Sequence, residues 1–408
     1  MATGDIGAAV INSLAIAGVT FDSPKLAQNP ENENLWALLI HGTSTGKATL
    51  YTVNVASDGT VTLLDSDIDF STASFNEFSD ICWHGDGCVA IVGPQPGSGP
   101  GLWTFLVDTD TGVISTMDGP YNFYVSTINY AEILSYGEGG VVIAFGNGSL
   151  GLGIVSIQVS QTTGVIIEAN VDTGNPDVNF PNDMILRKGL DDTYVICARD
   201  TGDNDVKAYS FQCGENGGIT TNDIEKVGDA GAGNGWVGLV HMGEGNFVAA
   251  YEDSDNSNYL TLRVFHVDNT GAITSPYTSD EQVVFNGTVN CNVSLERLAN
   301  DHILVCYTDA SGDDVKLVTY KIEVGTPTVF TQIDTLTVSE NQCYWLHAVV
   351  ADELSNMLVL AYEDNVTGGG FVSTVQVENE LGGNGNGVTD EEIVGSTKLY
   401  ALGLNLAI

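Results

Sequence analysis

Carboxylates recur in this chain at places where a strand would turn back on itself. The stretches are Asp200-Thr201-Gly202-Asp203-Asn204-Asp205, Glu252-Asp253-Ser254-Asp255-Asn256, Thr308-Asp309 to Asp313-Asp314, and Glu363-Asp364-Asn365. Carboxylates alternating with Asn, Ser and Gly present the oxygen donors that a hard cation such as Ca²⁺ takes. On that chemistry Asp200, Asp203, Asp205, Asp253 and Asp255 are the candidate calcium ligands. None of the loops ends in the bidentate Glu of a twelve-residue EF-hand. The same residues are also good turn formers, because Asp and Asn side chains bond their own backbone two residues on. Chelation separates the two readings, since only a bound ion adds to stability by mass action.

Other chemistry is thinly represented. The six histidines (His41, His84, His241, His266, His302 and His347) show no metal-ligand spacing and are read as structural. There is no G-x-S-x-G elbow, P-loop or H-E-x-x-H helix. A carboxylate pair for glycoside hydrolysis carries no signal here, because among 53 acids some pair must end up close. The seven cysteines include no C-x-x-C pair, so a zinc site is not expected. Cys82 and Cys88 flank one hairpin turn and are placed to face each other across it, while most of the others read as buried strand thiols. Trp36, Trp83, Trp103, Trp236 and Trp345 lie at or near strands and are read as packing residues rather than sugar-stacking platforms. The reading is of a protein with no catalytic residues and no required cofactor, calcium being the one ion the loops invite.

The elements that hold these residues repeat. Val237 to Thr274 reads as three strands and the start of a fourth, with a tight Gly243-Glu244-Gly245 turn after the first. A hairpin glycine follows the third strand of each such unit, at Gly59, Gly112, Gly164, Gly218, Gly271 and Gly325, at steps of 53, 52, 54, 53 and 54. A looser seventh version reads LGGNGNG at 381–387. The second strands are short, nearly continuous apolar runs such as ILVCY at 303–307 and MLVLAY at 357–362. A sheet with one wet face would alternate, so these runs require cover on both faces. Units of this length with four short strands, repeated radially, describe a β-propeller, and seven units make seven blades.

Along nearly its whole length the chain thus resembles the seven-bladed propellers. It has no WD dipeptide signature, and its four arginines (Arg187, Arg199, Arg263 and Arg297) do not supply the arginine cluster and S-x-D-x-G-x-x-W boxes of sialidases. The opening MATGDIGAAVINSL, followed by DTDTGVI-type turns, resembles repetitive proteins carried by tailed phages and related viruses.

The expected organisation is one propeller over residues 1–395, with Asp5 to Leu14 closing the blade built from residues 343–378, and a separate strand at 396–408. Ring closure by a terminus removes two unpaired edges. In the last segment Tyr400, Leu402, Leu404, Leu406 and Ile408 alternate with small residues, so Leu402, Leu404, Leu406 and Ile408 are the candidate partner contacts.

Twelve Lys and Arg against 53 Asp and Glu give a net charge of −41, which opposes nucleic acid and anionic lipid. The apolar run Gly7 to Val19 lacks a basic flank and is broken by Asn-Ser, so neither a cleavable signal peptide nor membrane insertion is expected. Together these features predict a non-enzymatic structural or binding module, a virion surface, tail or fibre component mediating assembly or host attachment. Its expected partners are other virion or filament subunits, or copies of itself, in a virion or extracellular assembly. A lectin-like propeller binding a cell-surface glycan is the alternative, and a glycoside hydrolase the third reading.

Overall fold

The computed structural model describes residues 4, 6–16, 21–42, 47–70, 79–85, 87–95, 99–124, 128–136, 139–147, 151–170, 181–214, 217–230, 236–274, 281–287, 289, 293–299, 301–309, 314–325, 327–339, 343–351, 357–364 and 369–377. After β1 (Ile6–Ile16), six blades follow in order. Blade one is β2 (Phe21–Gln28), β3 (Leu35–Gly42), β4 (Ala48–Val55) and β5 (Val61–Asp69). Blade two is β6 (Asp80–Trp83), β7 (Cys88–Gln95), β8 (Gly99–Val107) and β9 (Ile114–Asn122). Blade three is β10 (Ile128–Tyr136), β11 (Gly140–Asn147), β12 (Gly151–Val159) and β13 (Ile166–Asn170). Blade four is β14 (Pro181–Lys188), β15 (Thr193–Asp200), β16 (Asp205–Cys213) and β17 (Ile219–Asp229). Blade five is β18 (Val237–Gly243), β19 (Asn246–Asp253), β20 (Tyr259–Val267), and an outer strand split into β21 (Ile273–Thr274) and β22 (Glu281–Phe285). Blade six is β23 (Ser294–Ala299), β24 (His302–Thr308), β25 (Val315–Glu323) and β26 (Val329–Ser339). β27 (Cys343–Val350), β28 (Met357–Asp364) and β29 (Gly369–Val377) begin blade seven, and β1 completes it.

The closing pair is antiparallel, with Ser13 opposite Ser373 and Leu14 opposite Val372, and the two serine hydroxyls lie 2.9 Å apart. The sequence placed this strand at 5–14; it runs on to Ile16.

Each second strand is buried on both faces, as its unbroken apolar run requires; every residue of β15 and β28 is buried. Period-two geometry then sends alternate side chains to opposite seams. Trp36, Leu38 and Ile40 pack against Val359, Ala361 and Val372 of blade seven. Leu35, Ala37 and Leu39 pack against Ile81, Trp83 and Trp103 of blade two. The apolar core is therefore a set of seven seams rather than one centre, and each fully covered Leu or Ile contributes about 1.5–3 kcal/mol.

The repeating glycine has a second role besides the hairpin. Gly59, Gly112, Gly164, Gly217 and Gly271 adopt φ between +66° and +86°, and each carbonyl accepts the hydroxyl of a Thr or Ser on the third strand of the preceding blade. The donors are Thr374 (2.7 Å), Thr52 (2.6 Å), Thr104, Ser156 and Ser210, in that order. Two residues after the glycine, a backbone N–H is taken by an outer-strand side chain of the preceding blade. Ile114 bonds Asp65 (2.9 Å), Ile166 bonds Asp118 (3.2 Å), and Ile273 bonds Asp223 (2.8 Å).

Both contacts recur at the ring closure. Thr319 donates to the Gly4 carbonyl at 2.6 Å, and the Ile6 N–H reaches Asp334 at 2.9 Å. Gly4, with φ +87°, is thus the sixth glycine that makes this contact. The 381–387 version proposed from the sequence lies outside the described residues. Two further assignments shift. Gly217, not Gly218, carries the positive φ. Gly325 does not adopt it, and at that seam Thr261 turns instead to its own strand, at the Tyr259 carbonyl.

Cys82 and Cys88 enter the same apolar cluster, but Cys82 stands opposite Ala90 and both thiols are free. The six described cysteines are all buried and unbridged.

Candidate functional site

The inner strands converge on the propeller axis. The cavity there is lined by Lys25 on β2, Asp80 on β6, Glu132 on β10, Arg187 on β14, Glu296 on β23 and His347 on β27, with Asp183 of β14 beside it. Lys25 Nζ lies 3.0 Å from Glu132 Oε1 and 3.8 Å from Asp80 Oδ1. One buried ammonium thus serves two carboxylates.

The remaining carboxylate oxygens bind backbone across blade boundaries. Asp80 Oδ2 accepts the Ile133 N–H at 3.0 Å, Asp183 Oδ2 accepts that of Val237 at 2.6 Å, and Glu296 Oε2 accepts that of Val350 at 3.4 Å. His347 Nδ1 accepts the Leu26 N–H at 3.1 Å, which leaves its proton on Nε2. Ser294 donates to the Ala348 carbonyl at 3.0 Å. These contacts join consecutive inner strands two by two.

Burial sets the proton affinities. It pushes Glu132 up to about 7, helped by the neighbouring Asp80 and opposed by Lys25. It pushes Asp183 up to about 7 as well, against the stabilising Val237 N–H. Lys25 is raised above its ordinary range, because attraction to Glu132 and Asp80 outweighs its own desolvation. His347 is held well below the ordinary imidazole value by burial and by the positive charge of Lys25 and Arg187, so it is neutral. The direction for the pair is that Lys25 stays charged while its two carboxylates compete for it.

A carboxyl near 7 is a competent general acid. What this one lacks is room. The cavity at the axis measures about 90 Å³, against about 300–1,000 Å³ for sites that enclose a small-molecule ligand. It admits a few water molecules, and Lys25 occupies the approach to Glu132. The arrangement can store a proton and hold inner strands together.

The acidic loops are neutralised from within the protein. Lys207 lies 2.7 Å from Asp200 and 2.6 Å from Asp203. Lys226 lies 2.8 Å from Asp205 and 2.7 Å from Asp229. Asp253 accepts the Asp255 N–H at 2.9 Å and the Asn256 amide at 3.1 Å, the Asx-turn pattern. The second loop touches the end of β17, where Ser254 N–H bonds the Asp229 carbonyl at 3.0 Å. Among the described residues no three His, Cys, Asp or Glu side chains are grouped to hold a metal. Leu402, Leu404, Leu406 and Ile408 lie outside the described residues.

His84 is fully buried between Ser135 and Val159 O, at 2.9 and 3.0 Å, which is a structural role. Trp36, Trp83, Trp103 and Trp236 are buried packing residues. Sequence reasoning missed the axial cluster altogether. Its signal is a polar residue inside an otherwise apolar run, as Glu132 in INYAEIL and Arg187 in DMILRK, recurring about once per unit.

No protein-family model matches the chain, and no curated protein sequence matches it. Among solved structures it is similar to a lectin from Burkholderia pseudomallei, with a TM-score of 0.59, 12% identity, and 89% of this chain and 98% of that one covered. It is also similar to Sqt1 from Chaetomium thermophilum, with a TM-score of 0.52, 10% identity, and coverage of 92% and 100%. Likeness at this identity is likeness of architecture: the chain is a seven-bladed β-propeller.

Proposed function

We propose that this protein is a non-enzymatic binding module whose ligand or partner is engaged on the rim and at the seams, while the axis only holds the ring together. The observation that carries the proposal is the axial cavity of about 90 Å³, crossed by Lys25 and ringed by carboxylates already bonded to the next blade. A glycan is the favoured ligand class, since a strongly acidic surface disfavours phosphates and anionic lipid. The similar Burkholderia pseudomallei propeller is named as a lectin. Assembly into a virion or filament through Leu402, Leu404, Leu406 and Ile408 is a separate proposal about partners, resting on the alternating sequence alone.

The test of the non-enzymatic reading is turnover. A panel of nitrophenyl glycosides, incubated with the full chain and with Glu132→Gln, is expected to give equal, background rates. Hydrolysis by the wild type that disappears in the variant would overturn it. Calcium at Asp200, Asp203, Asp205, Asp253 and Asp255 is likewise a proposal. The ion would have to displace Lys207, so its support is a melting temperature that rises from EDTA to millimolar Ca²⁺ at matched ionic strength. Equal values would leave these residues as turns.

A further inference from the structure

The contacts at the axis leave one side of the cavity unfinished. Lys25 is engaged with Glu132 and Asp80, Asp80 also with the Ile133 N–H, and Glu296 with the Val350 N–H. Arg187 lines the same cavity. Among the described residues its guanidinium makes a single hydrogen bond, from Nη1 to the carbonyl of its own neighbour Leu186 at 2.9 Å. No described carboxylate stands within ion-pair distance of it, in a chain with 53 acids.

His347 lines the cavity from β27. Its Nδ1 accepts the Leu26 N–H, so the ring proton sits on Nε2, and that N–H has no acceptor among the described residues. Neither residue is sealed off, since both are half-buried. Donors in such places are ordinarily paired. The positive charge of Arg187 reaches both His347 and Glu132, so the three groups share one electrostatic environment.

Unengaged donors call for an acceptor, and size and charge narrow its kind. A planar guanidinium takes a planar oxyanion through parallel N–H···O bonds. Formate or nitrate fits a cavity of about 90 Å³, whereas a sugar ring does not. A cation would meet Arg187 and Lys25. The carboxylates do not forbid an anion. Glu132 keeps its proton up to about 7, so below that pH Lys25 and Arg187 face the charges of Asp80 and Glu296 alone. Asp183, beside the cavity, is raised to about 7 as well, and burial keeps the Cys82 thiol and the His347 ring neutral.

We propose that the axial cavity binds one small planar oxyanion, held by the Arg187 guanidinium and the Nε2–H of His347. The ion is structural. It ties β14 of blade four to β27 of blade seven, two inner strands that are not neighbours, and so adds to what the axis does for the ring. The proposal is independent of any ligand on the rim.

The experiment is thermal unfolding and calorimetric titration of the full chain at pH 6, with sodium formate as the probe. Sodium gluconate at equal ionic strength is the control, because it screens charge alike and is too large for the cavity. Formate is expected to raise the melting temperature above that in gluconate, as a ligand of the folded state must. Arg187→Met, which keeps the length of the side chain, is expected to weaken formate about tenfold or more. His347→Asn keeps an acceptor for the Leu26 N–H, removes the Nε2–H, and is expected to weaken it several-fold. At pH 8, where Glu132 carries its charge, formate should bind less tightly than at pH 6. Equal melting temperatures in formate and gluconate would mean that the cavity takes water alone, and would overturn the proposal. Formate that binds the wild type and His347→Asn equally tightly would overturn it too, even where Arg187→Met does not fold.

Discussion

At the axis, Glu132 and Asp80 share Lys25, and Asp183 accepts the backbone N–H groups of Met184 and Val237. The unfolded chain would titrate Glu132 and Asp183 in the ordinary carboxylate range, whereas the folded one keeps their protons up to about 7. Between those limits the native state binds more protons, so stability falls as pH rises through the interval and stays low above it. Melting temperatures measured from about pH 5 to about pH 8 at constant ionic strength should therefore decline in the wild type. Glu132→Gln keeps an acceptor for Lys25 and removes one of the titrating groups, so its decline should be shallower. Equal slopes would show that general repulsion among the 53 acids, not this cluster, sets the dependence. The sequence marks these residues one at a time, but it does not show them as a cluster, for a physical reason. Asp80, Glu132 and Asp183 are three acids among many, and only closing the ring brings them to Lys25. The loop acids Asp200 and Asp203 were the reverse: legible as a group, but not as partners of Lys207 seven and four residues on.

At the scale of the element, the contact between blades is a hydroxyl on a third strand and a glycine carbonyl on the next hairpin. Thr52 and Thr374 are fully buried, so replacing either by Val keeps the shape and leaves the Gly112 or Gly59 carbonyl without its donor. Each substitution is expected to cost about 1–3 kcal/mol in urea unfolding. Thr261→Val, at the seam where the hydroxyl bonds its own strand, should cost less. Equal losses at all three sites would mean that the hydroxyls matter for something other than blade contact. The glycines could be read from sequence because only glycine takes a left-handed turn freely, and the spacing repeated. Their donors could not, because Ser and Thr are common on strands and the pairing spans blades. The same limit hid the split outer strand of blade five, where Ala272-Ile273-Thr274 was legible but β22 (Glu281–Phe285), beside β20, was not.

For the whole molecule, the ring depends on β1. Removing residues 1–16 takes away the pairing with β29, the Gly4–Thr319 bond and the Ile6–Asp334 bond together. That deletion should cost much of the marginal stability of the propeller, measured as a large fall in melting temperature or as loss of the folded protein. Removing 396–408 should leave the melting temperature unchanged and abolish any self-assembly seen by light scattering. Retained assembly, or failure to fold, would refute the role proposed for Leu402, Leu404, Leu406 and Ile408.

The position of β1 also imposes an order on synthesis. The strand leaves the ribosome long before its partner β29. At about 5–20 residues per second, the residues from Ile16 to Gly369 take roughly 20–70 s to make. Throughout that interval both edges of an apolar strand stay open. Neighbouring nascent chains on one messenger can exchange it, each lending its first strand to the other's last blade.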